Sequence, residues 1–341
     1  VAAGIAAGTL LLAGGAWWQL RRRNVHRWIG SYIKQRSRRR PIRSEKPVHA
    51  LICIADHYEP HNGEVPDHIA LRRVQRWIEQ YPAALGRFRD SDGRPPRHTF
   101  FYPIDQYDGR EVDALVGLCR QGYGEIEIHL HHENDTAELL RRKLLKYRDL
   151  FAHRHGMLAR DPKTAQICYG FVHGDWALDN AHPDGLCCGV NDELSILRQT
   201  GCYADFTLPA APNPCQSRKI NSIYYATGKP GQNRGHDDGI DVGSGQSPPG
   251  ALMLIQGPLL LNWRHRKAGL LPRIENACLQ HNQVPSMERL DLWLRARVQV
   301  PTRPDWFFVK LHTHGAPENN ADVLLGEPMV RFHEALADRA R

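Results

Sequence analysis

Three histidines, His129, His131 and His132, fall within four positions of the stretch "EIEIHLHHEND", directly after a run that alternates apolar and acidic residues. A strand sends every second side chain to the same face, so His129 and His131 can address one ion, and His312 with His314 can do the same near the far end of the chain. Imidazole and carboxylate ligands without thiolate suit a divalent cation, zinc first, with cobalt, nickel or manganese as alternatives. Spacing alone leaves open which two of His129, His131 and His132 bind; strand parity favours the first two.

Polar residues also gather where other apolar runs end: Asp56 and His57, Asp105, His173 with Asp175, Asp205 with Thr207, and Gln256. The runs cover residues 49 to 56, 98 to 105, 124 to 132, 166 to 174, 202 to 209, 220 to 228, 251 to 258 and 306 to 315, and helical patterns separate most of them. This alternation predicts an α/β fold with right-handed crossovers, and a (β/α) barrel of seven or eight mostly parallel strands is its natural closed form. The carboxyl ends of such strands converge on one face, where active sites are built. The fifth-to-sixth connection is the weak link, because Pro209, Pro212 and Pro214 leave no room for a helix. Residues 229 to 250, rich in Gly and Pro, read as a mobile surface loop or lid.

Charge is unevenly placed along the 341 residues: the chain is +8, whereas residues 1 to 46 hold eleven Lys or Arg against Glu45 alone, +10, leaving about −2 for the remainder. That asymmetry argues against a nucleic-acid groove and for a membrane surface. The uncharged opening, residues 1 to 20, ends in Trp17 and Trp18 before three arginines, and predicts a membrane-anchoring helix. Residues 21 to 47 then form a basic juxtamembrane linker, and residues 48 to 341 a body held at the inner face of a bacterial inner membrane, on the cytoplasmic side. The eight cysteines show no regular disulfide or zinc spacing, and most read as small buried hydrophobes in a reducing compartment. The adjacent Cys187 and Cys188 read as loop residues, since isolated Cys-Cys zinc sites are rare.

The succession "IADHYEP", "EIHLHHEND", "FVHGDW" and "KLHTHG" resembles the polysaccharide deacetylase superfamily, the carbohydrate esterases of family 4, over about residues 48 to 316. It is closer to a divergent branch with an element like "HGDWALDN". The resemblance implies a metal-dependent hydrolase that removes N-acetyl or O-acetyl groups from a bacterial surface polysaccharide or its lipid-linked precursor. Carried onto this sequence, it makes Asp56 the base, His57, His129 and His131 the metal ligands, and His312 or His314 the general acid. Tyr102, Asp105, His173, Asp175, Trp176 and Asn221 are expected to position substrate, Trp176 by stacking a sugar ring or else by packing in the core. The implied partners are an acetylated glycan and the membrane. Two other readings share these residues: a metal-dependent hydrolase of phosphate esters or cyclic amides, and a non-catalytic carbohydrate-binding protein of a membrane assembly.

Overall fold

The structure, a computed structural model, describes residues 14–15, 17–39 and 47–340. Thirteen strands, β1 (His49–His57), β2 (His98–Pro103), β3 (Gly124–Leu130), β4 (Ala159–Arg160), β5 (Ile167–His173), β6 (Cys202–Asp205), β7 (Ile223–Ala226), β8 (Ile240–Asp241), β9 (Leu252–Ile255), β10 (Leu260–Lys267), β11 (Leu271–Glu275), β12 (Cys278–Leu279) and β13 (Trp306–Thr313), occur among the described residues. Each of the eight expected apolar runs contains one of them. Helices among the described residues include α1 (Val25–Lys34), α2 (Asp67–Leu85), α3 (Gly109–Leu118), α4 (Ala137–His153), α5 (Glu193–Gln199), α6 (Met287–Ala296), α7 (Glu318–Leu324) and α8 (Glu327–Ala340).

The main sheet runs β12-β13-β1-β2-β3-β5-β6-β9-β7-β8, with β4 beside β5, while β10 and β11 form a separate hairpin. From β12 through β9 every neighbouring pair on this path is parallel, whereas β7 lies antiparallel to both β9 and β8. The sheet is a curled, open, mixed one, which corrects the expectation of a closed seven- or eight-stranded barrel. The proline-rich link explains the difference. A parallel crossover needs a dozen or more residues, usually helical. Residues 206 to 222 contain no helix, so the chain returns as an antiparallel β7 and β9 takes the parallel place beside β6.

Side chains, and no ladder, draw β13 towards the far side of the curl. The Lys310 ammonium, fully buried, donates to the Phe206 carbonyl and, at 2.7 Å, to the Leu208 carbonyl. Burial pushes its pKa down to about 8. On the concave face Ala55, Phe101, Val172 and Phe206 pack together. On the convex face a larger core built on Trp77, Phe100, Ile126, Ile128 and Phe171 joins the sheet to its helices.

The strand-end face carries the site because helices start there with local caps. The Asp108 carboxylate accepts from Arg110 N at 2.8 Å to open α3, and the Thr136 hydroxyl accepts from Leu139 N at 3.2 Å to open α4. The Gly/Pro-rich stretch is tied down instead of swinging free. Within it Gly235 N donates to Asp179 Oδ2 at 2.6 Å, Arg234 N to Asp179 O at 2.9 Å, and β8 pairs with β7.

The N-terminal region also departs from expectation. Among the described residues no helix is long and apolar enough to cross a membrane, which corrects the membrane-anchored reading; residues 1–13 and 16 lie outside the described residues. The expected basic linker holds α1, which docks on the body. Trp28, 0% exposed, packs with Val25 on Ala211, Ile220 and Leu259, and Gln35 Nε2 donates to Ile220 O at 2.8 Å. Arginines here serve the same contact, as Arg27 Nε donates to Gln216 O at 3.2 Å.

Candidate metal centre

At the carboxyl ends of β1, β3 and β13 four imidazoles and one carboxylate converge. Glu59 Oε1 lies 3.2 Å from His129 Nε2, 3.6 Å from His131 Nε2 and 3.7 Å from His314 Nε2. The His57 ring centroid lies 4.9 Å from that of His129 and 4.8 Å from that of His314. Two sets, His57 with Glu59 and His314, and Glu59 with His129 and His131, each present ligand atoms within 4.8 Å of one another. Zinc bonds of about 2.0 to 2.2 Å in tetrahedral geometry separate ligand atoms by roughly 3.3 to 3.6 Å, so the spacing suits an ion.

Acceptors stand behind two of these rings. His129 Nδ1 sits 2.8 Å from the Val172 carbonyl, which can only accept, so Nδ1 carries the proton and donates. Nε2 is thereby left towards Glu59. His131 Nδ1 lies 3.3 Å from Asp105 Oδ2, and Asp105 Oδ1 accepts from His131 N at 3.0 Å. A carboxylate or carbonyl behind the imidazole is the usual support of a metal ligand. Among the described residues His57 Nε2 is buried with no hydrogen-bond partner, an expensive condition unless something binds there.

The electrostatics follow from burial and neighbours. Burial, reinforced by His314 and His129, pushes the His57 pKa well below its ordinary value, and burial lowers His314 as well. Burial acts to raise Glu59, but the hydrogen bond and charge of His129 overcome it and hold the carboxyl near about 2. Burial likewise opposes the rise at His131, where Asp105 prevails. Two imidazoles held below their ordinary range beside a carboxylate held below its own make a donor set that suits a cation.

The expected site residues divide. His57, His129, His131 and His314 come together. His312 lies one pleat deeper on the same strand, buried, with Nδ1 unpartnered. Asp105 supports His131, Asp175 is exposed at the rim, and Trp176 stands with its ring centroid 6.0 Å from those of His57 and His314. Asp175 and Trp176 both have left-handed backbone, φ 52° and 58°, strain of a kind that concentrates at functional sites.

Asp56 faces the other way. Its Oδ2 lies 2.8 Å from His98 Nε2 and its Oδ1 accepts from Gly315 N at 2.6 Å, so this carboxylate is buried among the helices rather than presented to the histidines. Tyr102 also points to that layer and donates to Glu111 Oε2 at 2.7 Å. Asn221 holds Leu259 and Gln35 instead of a ligand, with Leu259 N donating to its Oδ1 at 2.7 Å.

A second cluster lies across the sheet. His132, His173, Cys188 and Glu193, all buried, place one ligand atom each within 4.8 Å of the others. His173, expected to meet substrate, belongs to this group. Gly174 separates the two clusters: a Cβ there would stand 2.3 Å from His131 Cδ2. Glu59, Cys188 and Glu193 lie outside the ligands expected from the sequence. Glu59 follows His57 by the same two-residue step that groups the other ligands, which is a usable signal; Cys188 and Glu193 are brought in by a loop and offer none.

Buried histidine, glutamate and cysteine groups in this protein could therefore hold a metal ion. No family model matches the chain, and no curated protein or solved structure matches it either.

Proposed function

We propose that the protein is a divalent-metal-dependent hydrolase whose centre is formed by His57, Glu59, His129, His131 and His314, and that it removes acetyl groups from an acetylated glycan. The convergence of four imidazoles and Glu59, with His129 and His131 braced from behind by Val172 O and Asp105, carries this reading. A bound ion of the zinc class would polarise an acyl carbonyl and make hydroxide available near neutral pH. His131 and His314, with side chains 28% and 30% exposed, leave the centre reachable from the rim. Trp176 offers that rim an aromatic wall on which a sugar ring can stack. The sugar assignment rests on this wall and on the resemblance of the motifs. Asp56 is not given the role of base, because both its oxygens are engaged elsewhere.

The test is acetate release from N-acetylated and O-acetylated oligosaccharides by the zinc- or cobalt-loaded chain, with His131→Ala as control. Release that is lost with the metal and with His131 supports the proposal; full activity in His131→Ala overturns it. One observation favours a second reading. The two ligand sets share Glu59, a layout that suits a pair of ions acting on a phosphate ester. Hydrolysis of phosphate esters without acetate release would select it.

A further inference from the structure

We propose that His132, His173, Cys188 and Glu193 form a second, sealed metal centre for a zinc-class divalent cation, with a structural role. It is independent of the hydrolytic reading. His132 Nε2 and His173 Nε2 lie 3.2 and 3.5 Å from Glu193 Oε1, and Cys188 Sγ lies 3.6 Å from Glu193 Oε2. Ligand atoms around a tetrahedral zinc stand roughly 3.3 to 3.8 Å apart when sulfur is included, so little movement is needed to enclose an ion.

Most of the outer atoms are already engaged. His173 Nδ1 donates to the Gly174 carbonyl, which fixes the proton there and leaves Nε2 as a bare, fully buried nitrogen with no hydrogen-bond partner among the described residues. His132 Nδ1 faces Asp135 Oδ2 at 3.2 Å, and that carboxylate is itself bound by Lys143 Nζ at 2.7 Å. Val190 N donates to Cys188 Sγ at 3.4 Å, and Asp179 N donates to Glu193 Oε2 at 2.6 Å. His173, Cys188 and Glu193 are thus held by hydrogen bonds, and His132 has a carboxylate close behind it, the usual surroundings of metal ligands.

Charge points the same way. As ligands, a thiolate and a carboxylate with two imidazoles would bring −2 to the pocket, which a divalent cation cancels; Glu193 is already met by His132 Nε2 at 3.2 Å and by Asp179 N at 2.6 Å. Four protein ligands with no exposed member describe a closed, structural site, not one that keeps a position for water.

The structural task is visible. Residues 174 to 192 have little regular structure beyond the Gly174–Trp176 turn. Asp175, Trp176, Asp179, Asn180 and Cys187 all sit in left-handed backbone. An ion gripped by β5 at His173, by the end of β3 at His132 and by Cys188 and Glu193 would pin both ends of this segment. Trp176 would then be fixed beside His57 and His314.

Cobalt supplies the test. The cobalt-loaded full chain should show a sulfur-to-cobalt charge-transfer band in the near ultraviolet. Cys188→Ser should lose that band and one equivalent of metal, while His131→Ala keeps the band. Since the first centre contains no sulfur, the band reports on this site alone and the two proposals can fail separately. Absence of the band in the wild-type chain, or its persistence in Cys188→Ser, overturns the proposal. Should Cys188→Ser fail to fold, X-ray absorption of the zinc-loaded wild-type chain decides: one sulfur neighbour at about 2.3 Å supports the site, and a shell of nitrogen and oxygen alone overturns it.

Discussion

The two histidine clusters are built from nearly the same parts and differ in where they sit. The first gathers His57, Glu59, His129, His131 and His314 on the concave side, with two of the imidazoles about one-third exposed. The second gathers His132, His173, Cys188 and Glu193 with no member more than 7% exposed. His131 and His132, consecutive residues just past the end of β3, feed different clusters. Exposure and the presence of sulfur therefore separate the proposed roles, an open chemical centre and a closed structural one, more than ligand type does.

That contrast can be broken or sharpened by substitution. The largest expected effect is on catalysis. His129→Ala should cut hydrolysis by about a thousandfold or more, since a metal ligand and its hydroxide go together, while the melting temperature moves comparatively little. Steady-state rates and thermal melts on one preparation would check this, and a thousandfold loss accompanied by global unfolding would dissolve the distinction.

Glu193→Ala should do the reverse. Removing one partner of a buried charged network costs about 3 to 5 kcal/mol, so denaturant unfolding should shift strongly, and activity should follow foldedness. Equal stability in wild type and variant would deny the sealed cluster a structural role. A smaller effect is expected from Asp105→Asn, which keeps the shape but weakens the support of His131; metal affinity should fall roughly 10- to 100-fold, read by competition with a chelator, with little change in melting.

The smallest effect lies away from both clusters and serves as a baseline. His333, stacked on Phe88 with centroids 5.2 Å apart, has its pKa pushed down to about 4 by burial. A histidine whose folded pKa is depressed contributes full stability above its unfolded value. That stability is lost as pH falls from there towards 4, because the unfolded chain takes up the proton first. His333→Phe should flatten this acid decline by about 1 to 2 kcal/mol, measured by urea unfolding between pH 7 and 4, without altering metal content.

Much of the scaffold could be read in advance. Apolar runs ending in polar residues located eight strand-bearing segments, and strand parity paired His129 with His131. The same parity turns Asp56 away from the histidines, because it neighbours His57 and must leave β1 on the other side, against what the motif resemblance implies. Closure of the sheet was not legible. It depends on a helix that residues 206 to 222 do not form and on the antiparallel return of β7, which composition does not encode. Nor was the Cys188–Glu193 half of the sealed cluster, since its position is set by a loop whose path is fixed by tertiary contacts such as Asp135 N to Cys188 O at 3.0 Å.

Gly174 forms a partition between the clusters: its carbonyl receives His173 Nδ1, and a Cβ on it would run into His131. Anyone retuning the inner pocket for a larger or softer ion would bend that partition and so reshape the outer one. The pair must be engineered together, and a chain with Ala at this position would reveal how much slack the wall contains.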